Sequence, residues 1–116
     1  MPHEDLDAGR LSDMLVYARE IVETLRGVSF PEYVRDKNLR LATERRIEII
    51  GEAARRVSEE TRRQLPQLPW QDMVRMRNIM IHEYDDVDLS LVWDTVQIDL
   101  PALVSALERI VPQKEK

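Results

Sequence analysis

Apolar side chains recur three and four residues apart along most of this chain, and that period leaves little choice of fold. Leu11, Met14, Leu15, Ala18, Ile21, Val22 and Leu25 fall on one side of a helix, with Asp13, Arg19, Glu20, Glu23 and Arg26 between them. The spacing predicts a first helix from about Leu6 to Arg26. Gly27 supplies its stop, and Ser29-Phe30-Pro31-Glu32 reads as a cap followed by a proline near the first helical position. A short helix then leads into a longer one, capped by Asp36 or Asn38, with Leu39, Ala42, Ile50, Ala53, Ala54 and Val57 as its stripe.

Gly51 lies inside that longer helix. A glycine there costs about 1 kcal/mol relative to alanine, so a packing reason is expected for it. A short helix near Ser58 to Gln64 is ended by Pro66 and Pro69, and a further helix is expected from Trp70 to about Glu83. Asp88 caps a last helix through Leu91, Val92, Val96, Leu100, Leu103, Val104, Leu107 and Val111, in which Pro101 should produce a kink near Gln97.

Three glycines and one phenylalanine in 116 residues, against many Leu, Ile, Ala, Arg and Glu, point the same way. The expected fold is all-α: an antiparallel bundle of four main helices with one or two short ones. Residues 1–116 make one domain, since a chain of this length holds one core, with 1–5 and 112–116 as loose ends. The lack of cysteine excludes a disulfide scaffold and a thiolate metal site. No stretch approaches the roughly 20 apolar residues of a membrane span, and no basic stretch followed by an apolar run opens the chain, so a cytoplasmic location is expected.

A net charge of −5 argues against a protein that coats nucleic acid through bulk positive charge. The charge is unevenly spread. From Arg35 to Arg63 nine basic residues stand against six acidic ones, whereas no Lys or Arg occurs between Arg77 and Arg109. A polyanion would approach from the arginine-rich side. The plainer account of both runs is solvated helix faces.

The stretch Met76-Arg77-Asn78-Ile79-Met80-Ile81-His82-Glu83-Tyr84 sets a guanidinium, an amide, an imidazole and a phenol in an apolar segment. Such groups are expensive to bury without partners. At about 100° per residue, His82 lies about 140° from Arg77, while Asn78 and His82 share a face. One copy therefore cannot focus Arg77, His82 and Tyr84 unless the helix ends at the motif or a second copy contributes. An arginine and a histidine flanking a cleft suit cleavage of an RNA phosphodiester. The imidazole takes the 2′-OH proton or gives one to the leaving oxygen, and the guanidinium holds the phosphate, with no metal and no cofactor required. The structural alternative gives Arg77 an acidic neighbour, His82 a helix C-terminus and Tyr84 the end of the bundle.

Arg77 through Tyr84 resembles the R-x4-H-x-Y signature of HepT-like proteins of the HEPN superfamily. Arg46-Ile47-Glu48-Ile49-Ile50-Gly51-Glu52-Ala53-Ala54, Leu68-Pro69-Trp70, and Val92-Trp93 with Asp99-Leu100-Pro101 are similar to segments of that family, over roughly residues 10 to 110. The resemblance implies an all-α homodimer, the toxin of a toxin–antitoxin pair, acting as a metal-independent endoribonuclease at a cleft lined by both subunits. It implies Arg77 and His82 as catalytic residues and Asn78 as their support. It also implies an MntA-like nucleotidyltransferase antitoxin that adenylylates Tyr84, adding bulk and negative charge at the cleft mouth. The acidic run after the motif is not explained by the resemblance, and it favours a different reading, a noncatalytic dimeric helical module that binds a nucleotidyltransferase or a nucleotide.

Glu48 and Glu52, four apart, or Asp85-Asp86-Asp88 could approach a cation. Solvated or ion-paired carboxylates account for the first pair, and a turn with a helix cap for the second group. Trp70 and Trp93 read as core or dimer contacts rather than base-stacking platforms.

Overall fold

A computed structural model describes residues 3–112, and among them the backbone is helical with no strand. Helix α1 spans His3–Thr24. Its stripe of Leu11, Met14, Leu15, Ala18 and Ile21 is buried, and Leu25 just beyond the helix is buried as well. Burying such side chains contributes about 1.5–3 kcal/mol each, which outweighs the weak propensity of any one residue. The helix starts three residues before the expected Leu6 and stops before Gly27, whose φ of 77° only glycine adopts without strain.

Local chemistry sets the next boundaries. Ser29 and Glu32 form a reciprocal capping box that starts α2 (Phe30–Arg35). Asp36 ends α2 and, through a side-chain bond from the Leu39 N–H, begins α3 (Lys37–Arg56). Ser58 caps α4 (Glu59–Gln64). Helix α5 runs Trp70–His82, with Pro69 immediately before it. Asp88 caps α6 (Leu89–Asp94), which continues through a π-helical turn, Thr95–Asp99, into α7 (Leu100–Ile110).

That π turn is where Pro101 was expected to bend the helix. Proline has no N–H to give the carbonyl of Gln97, and the extra residue in the preceding turn absorbs the mismatch instead of a break. The long elements are thus α1, α3, α5 and the composite α6–π–α7, with α2 and α4 as the short ones.

Helix α3 packs against α5 on one side and α1 on the other, and α1 carries α7 on its far side. Ion pairs stitch the order from outside: Arg46 to Glu20 at 3.0 Å joins α3 to α1, and Arg19 to Glu108 at 2.8 Å joins α1 to α7. Trp93 stacks at 5.7 Å on Phe30 and at 5.4 Å on Tyr33, so α6 closes over α2. Trp70 packs against the core and donates its indole N–H to the Leu65 carbonyl. Both tryptophans are therefore structural. Among the described residues no helix is long and apolar enough to cross a membrane. Residues 1–2 and 113–116, most of the expected loose ends, lie outside the described residues.

Candidate functional site

Met73, Met76 and Met80 recur at helical spacing and turn inward, which fixes the rotation of α5 about its own axis. That rotation sets Arg77 at the margin of the core and leaves Asn78 exposed. Across from Arg77 stands Gly51 of α3. A Cβ placed on Gly51 would lie 2.2 Å from the Cβ of Arg77 and 2.5 Å from the Met73 carbonyl oxygen, so only glycine permits this approach. The packing reason expected for Gly51 is the root of the Arg77 side chain.

With its base pressed on α3, Arg77 brings Nε to 3.1 Å from Oε1 of Glu52, an ion pair whose alignment falls short of a hydrogen bond. Nη1 donates to Oδ1 of Asn78 at 2.8 Å. Nε is sealed from solvent, so the polar atoms left to meet a ligand are Nη1 and Nη2. Glu52 is shared. It also accepts from Nη2 of Arg55 at 3.1 Å and from Nε of Arg56 at 2.6 Å. Hydrogen bonds first from Arg55 and then from Arg56 hold its carboxyl down to about 2, so it is ionised throughout the neutral range.

His82 is the last residue of α5 and is exposed. The chain then turns. The Glu83 N–H bonds back to the Ile79 carbonyl at 2.9 Å, and the Asp86 N–H to the Glu83 carbonyl at 2.9 Å. Tyr84 stands in this turn, 75% exposed, flanked by the exposed carboxylates Glu83, Asp85 and Asp86. The helix does end at the motif, as one of the two expected solutions required.

The structure thus joins Arg77 to Asn78 and adds Glu52. It joins neither to His82 or Tyr84: among the described residues, no hydrogen bond or ion pair involves either side chain. The structural alternative therefore holds for one residue of three. Arg77 does pair with an acid, but His82 satisfies no helix terminus and Tyr84 covers nothing. Asn78 shares a helix face with His82 by spacing, and its amide oxygen accepts from the adjacent Arg77. Glu52 reads from the sequence as a solvated or ion-paired carboxylate, and the structure shows it ion-paired, with Arg55, Arg56 and Arg77; its spacing from Glu48 did not reveal the partner on α5. The signal was Gly51 beside it, which marks where α5 comes closest.

Glu48 pairs with Arg45 at 2.9 Å, and Asp88 caps α6. Among the described residues no three His, Asp or Glu side chains converge as metal ligands. An apolar groove of about 320 Å³ runs between α3, α5 and α7, lined in part by Ile50, Met73, Met76, Leu100 and Leu103.

Comparison with known proteins gives a consistent answer. The family model described as Ribonuclease HepT-like matches residues 14–110. The chain is 37% identical over 98 residues to "Putative RNase MJ1380" of Methanocaldococcus jannaschii, covering 84% of this chain and 90% of that protein. It is 36% identical over 100 residues to "Probable ribonuclease HepT" of Thermococcus cleftensis, covering 86% and 91%. With "Putative RNase MJ0125" of Methanocaldococcus jannaschii it shares 30% identity over 116 residues, covering 100% and 99%. No solved structure gives a significant match.

Proposed function

Because the chain belongs to the Ribonuclease HepT-like family, we propose that this ribonuclease cuts RNA internally and without a metal, at a cleft that two copies of the chain complete. One observation carries the reading. A guanidinium held at Nε and Nη1 sits on the helix whose last residue is an exposed imidazole, with an exposed phenol two residues beyond.

In this reading Arg77 grips a phosphate through its terminal nitrogens and strengthens that grip as charge builds on the phosphoryl oxygens. The 2′-oxygen attacks phosphorus as its proton leaves, and the bond to the 5′-oxygen breaks as that oxygen gains a proton. His82 takes the first proton or supplies the second. Asn78 steadies Arg77. On a regular helix Arg77 and His82 stand about 140° apart, which is why a second copy, related by a twofold axis, belongs to the proposal.

Tyr84 carries the proposed control. Its exposure suits modification by a nucleotidyltransferase antitoxin: Oη forms a bond to the α-phosphorus of a nucleoside triphosphate, its proton departs, and pyrophosphate leaves. The attached AMP adds negative charge where RNA must enter. The chain is then the toxin of a toxin–antitoxin pair.

Expression without a partner is expected to slow growth, and His82→Ala to relieve this. Equal toxicity of the two would refute the toxin reading. Co-expression with a nucleotidyltransferase should add one or more AMP units to the chain's mass, and Tyr84→Phe should abolish the gain. The acidic turn around Tyr84 favours a second reading, a noncatalytic dimeric module that binds the nucleotidyltransferase or a nucleotide. Partner binding with intact RNA, alike in wild type and Arg77→Ala, would select it.

A further inference from the structure

We infer that Glu52 is a positioning residue for the RNA-cleavage step, fixing the plane of the Arg77 guanidinium so that its two terminal nitrogens present one edge to the phosphate. The inference rests on the function proposed above and extends it to a residue outside the motif.

Three independent features converge on Glu52. Gly51 lets the Cβ of Arg77 sit against the α3 backbone, which confines the start of the side chain. Glu52, the next residue on α3, then meets Arg77 midway, Oε1 standing 3.1 Å from Nε. Arg55 and Arg56, one turn further along α3, bond the same carboxylate: Arg55 donates to Oε1 at 3.3 Å and to Oε2 at 3.1 Å, and Arg56 to Oε2 at 2.6 Å. Two further guanidinium groups thus restrain the carboxylate that faces Arg77.

The pairing leaves the arginine chemically useful. A carboxylate that took Nη1 and Nη2 as a fork would occupy the edge that recognises phosphate and would compete with RNA. Here the carboxylate stands at Nε, and the neutral Asn78 amide takes Nη1. Nη2 makes no bond among the described residues. Charge is also favourable, because three guanidinium groups surround one carboxylate. The corner stays positive although the chain as a whole carries −5.

A salt bridge that merely ties α3 to α5 would have another signature. Its loss would lower the folded fraction and leave the kinetic constants of the folded molecules unchanged. A positioning role acts on the transition state, where a misplaced donor is costly, while removal of a negative charge beside the site leaves RNA binding intact or tightens it.

The test uses the full-length protein and a single-stranded RNA oligonucleotide, comparing wild type, Glu52→Gln, Glu52→Asp and Arg77→Ala, each assayed below its thermal midpoint. Glu52→Gln should lower kcat about tenfold or more with KM unchanged or reduced, and Glu52→Asp should recover part of that loss. In an Arg77→Ala background Glu52→Gln should have no further effect. The Arg77 Nε–Hε resonance in the NMR spectrum of the folded protein should move in Glu52→Gln, a readout that needs no activity. A kcat within twofold of wild type in Glu52→Gln, with Arg77→Ala inactive, would overturn the inference and leave the proposed function standing. Indistinguishable cleavage by wild type and Arg77→Ala would overturn both. An unmoved Arg77 resonance would overturn the inference whatever the kinetics.

Discussion

Gly51 on α3 and Arg77 on α5 are so closely apposed that a Cβ on the first would stand 2.2 Å from the Cβ of the second. The site thus begins in the packing of two helices. Alanine at position 51 would gain about 1 kcal/mol of helix propensity but would also strike the Met73 carbonyl oxygen at 2.5 Å, backbone that cannot rotate away. Overpacking of this kind costs about 1–3 kcal/mol. Gly51→Ala should therefore destabilise the protein by up to about 2 kcal/mol and lower RNA cleavage out of proportion to that loss, since α5 must move and Arg77 moves with it. Thermal unfolding and cleavage measured on the same preparation check this, and a rise in Tm would contradict it.

Asp7 ties the start of the chain to the start of α4. Its carboxylate is buried and accepts from the Ser58 N–H at 3.0 Å, the Ser58 hydroxyl at 2.6 Å and the Thr61 hydroxyl at 2.5 Å. Asp7→Ala leaves those half-buried donors without their acceptor, at a cost of about 2–3 kcal/mol. At roughly 4 °C per kcal/mol for a domain of this size, Tm should fall by about 10 °C. An unchanged Tm would show that water replaces the carboxylate.

Tyr33 offers the opposite case. Its ring is fully buried against Trp93, yet its hydroxyl has no hydrogen-bond partner. Burial, with a smaller contribution from the charge of Glu44, pushes its pKa well above the ordinary tyrosine range. Tyr33→Phe removes the stranded hydroxyl and keeps the ring, so it should stabilise the protein by about 1 kcal/mol. A chemical-denaturation midpoint lower than that of wild type would contradict this.

Glu52 gives a pH dependence of definite sign. Its carboxyl is held near 2 in the folded chain against an ordinary value of 4.5, so the folded state favours the ionised form. The stabilisation is complete above about pH 5 and is lost as pH falls through the interval between those two values. The stability difference between wild type and Glu52→Gln should therefore be flat from neutral pH to about pH 5 and shrink below it. A difference that grew on acidification would reverse the sign and refute the assignment.

Features whose causes are local could be read from the sequence. Ser29, Asp36 and Asp88 are caps because each side chain bonds an N–H within three residues, Asp36 over the alternative Asn38, and Gly27 and Pro101 act on their own turns; Ser58, expected as the first residue of its helix, is also a cap. Helix boundaries followed to within a few residues. Pro101 altered the helix where expected, although the form was a π turn and not a plain kink. The partners of the site were less visible, because they depend on which helices meet. Glu52 and Arg77 are 25 positions apart, Asp7 and Ser58 are 51 apart, and no period in the sequence links either pair. Arg77, Asn78, His82 and Tyr84 stand out as candidates from their chemistry, and the roles of Asn78 and Tyr84 come from the family resemblance. That Arg77 leans on α3, and that Asn78 turns to Arg77 and not to His82, follows only from the α3–α5 contact.

Cleavage of single-stranded RNA by the purified protein in the presence of EDTA tests the central claim most directly. Wild type should cut, and Arg77→Ala and His82→Ala, each shown to be folded by its thermal transition, should lose about 100-fold or more of that rate. Cleavage that requires added metal, or that survives unchanged in either variant, would contradict it.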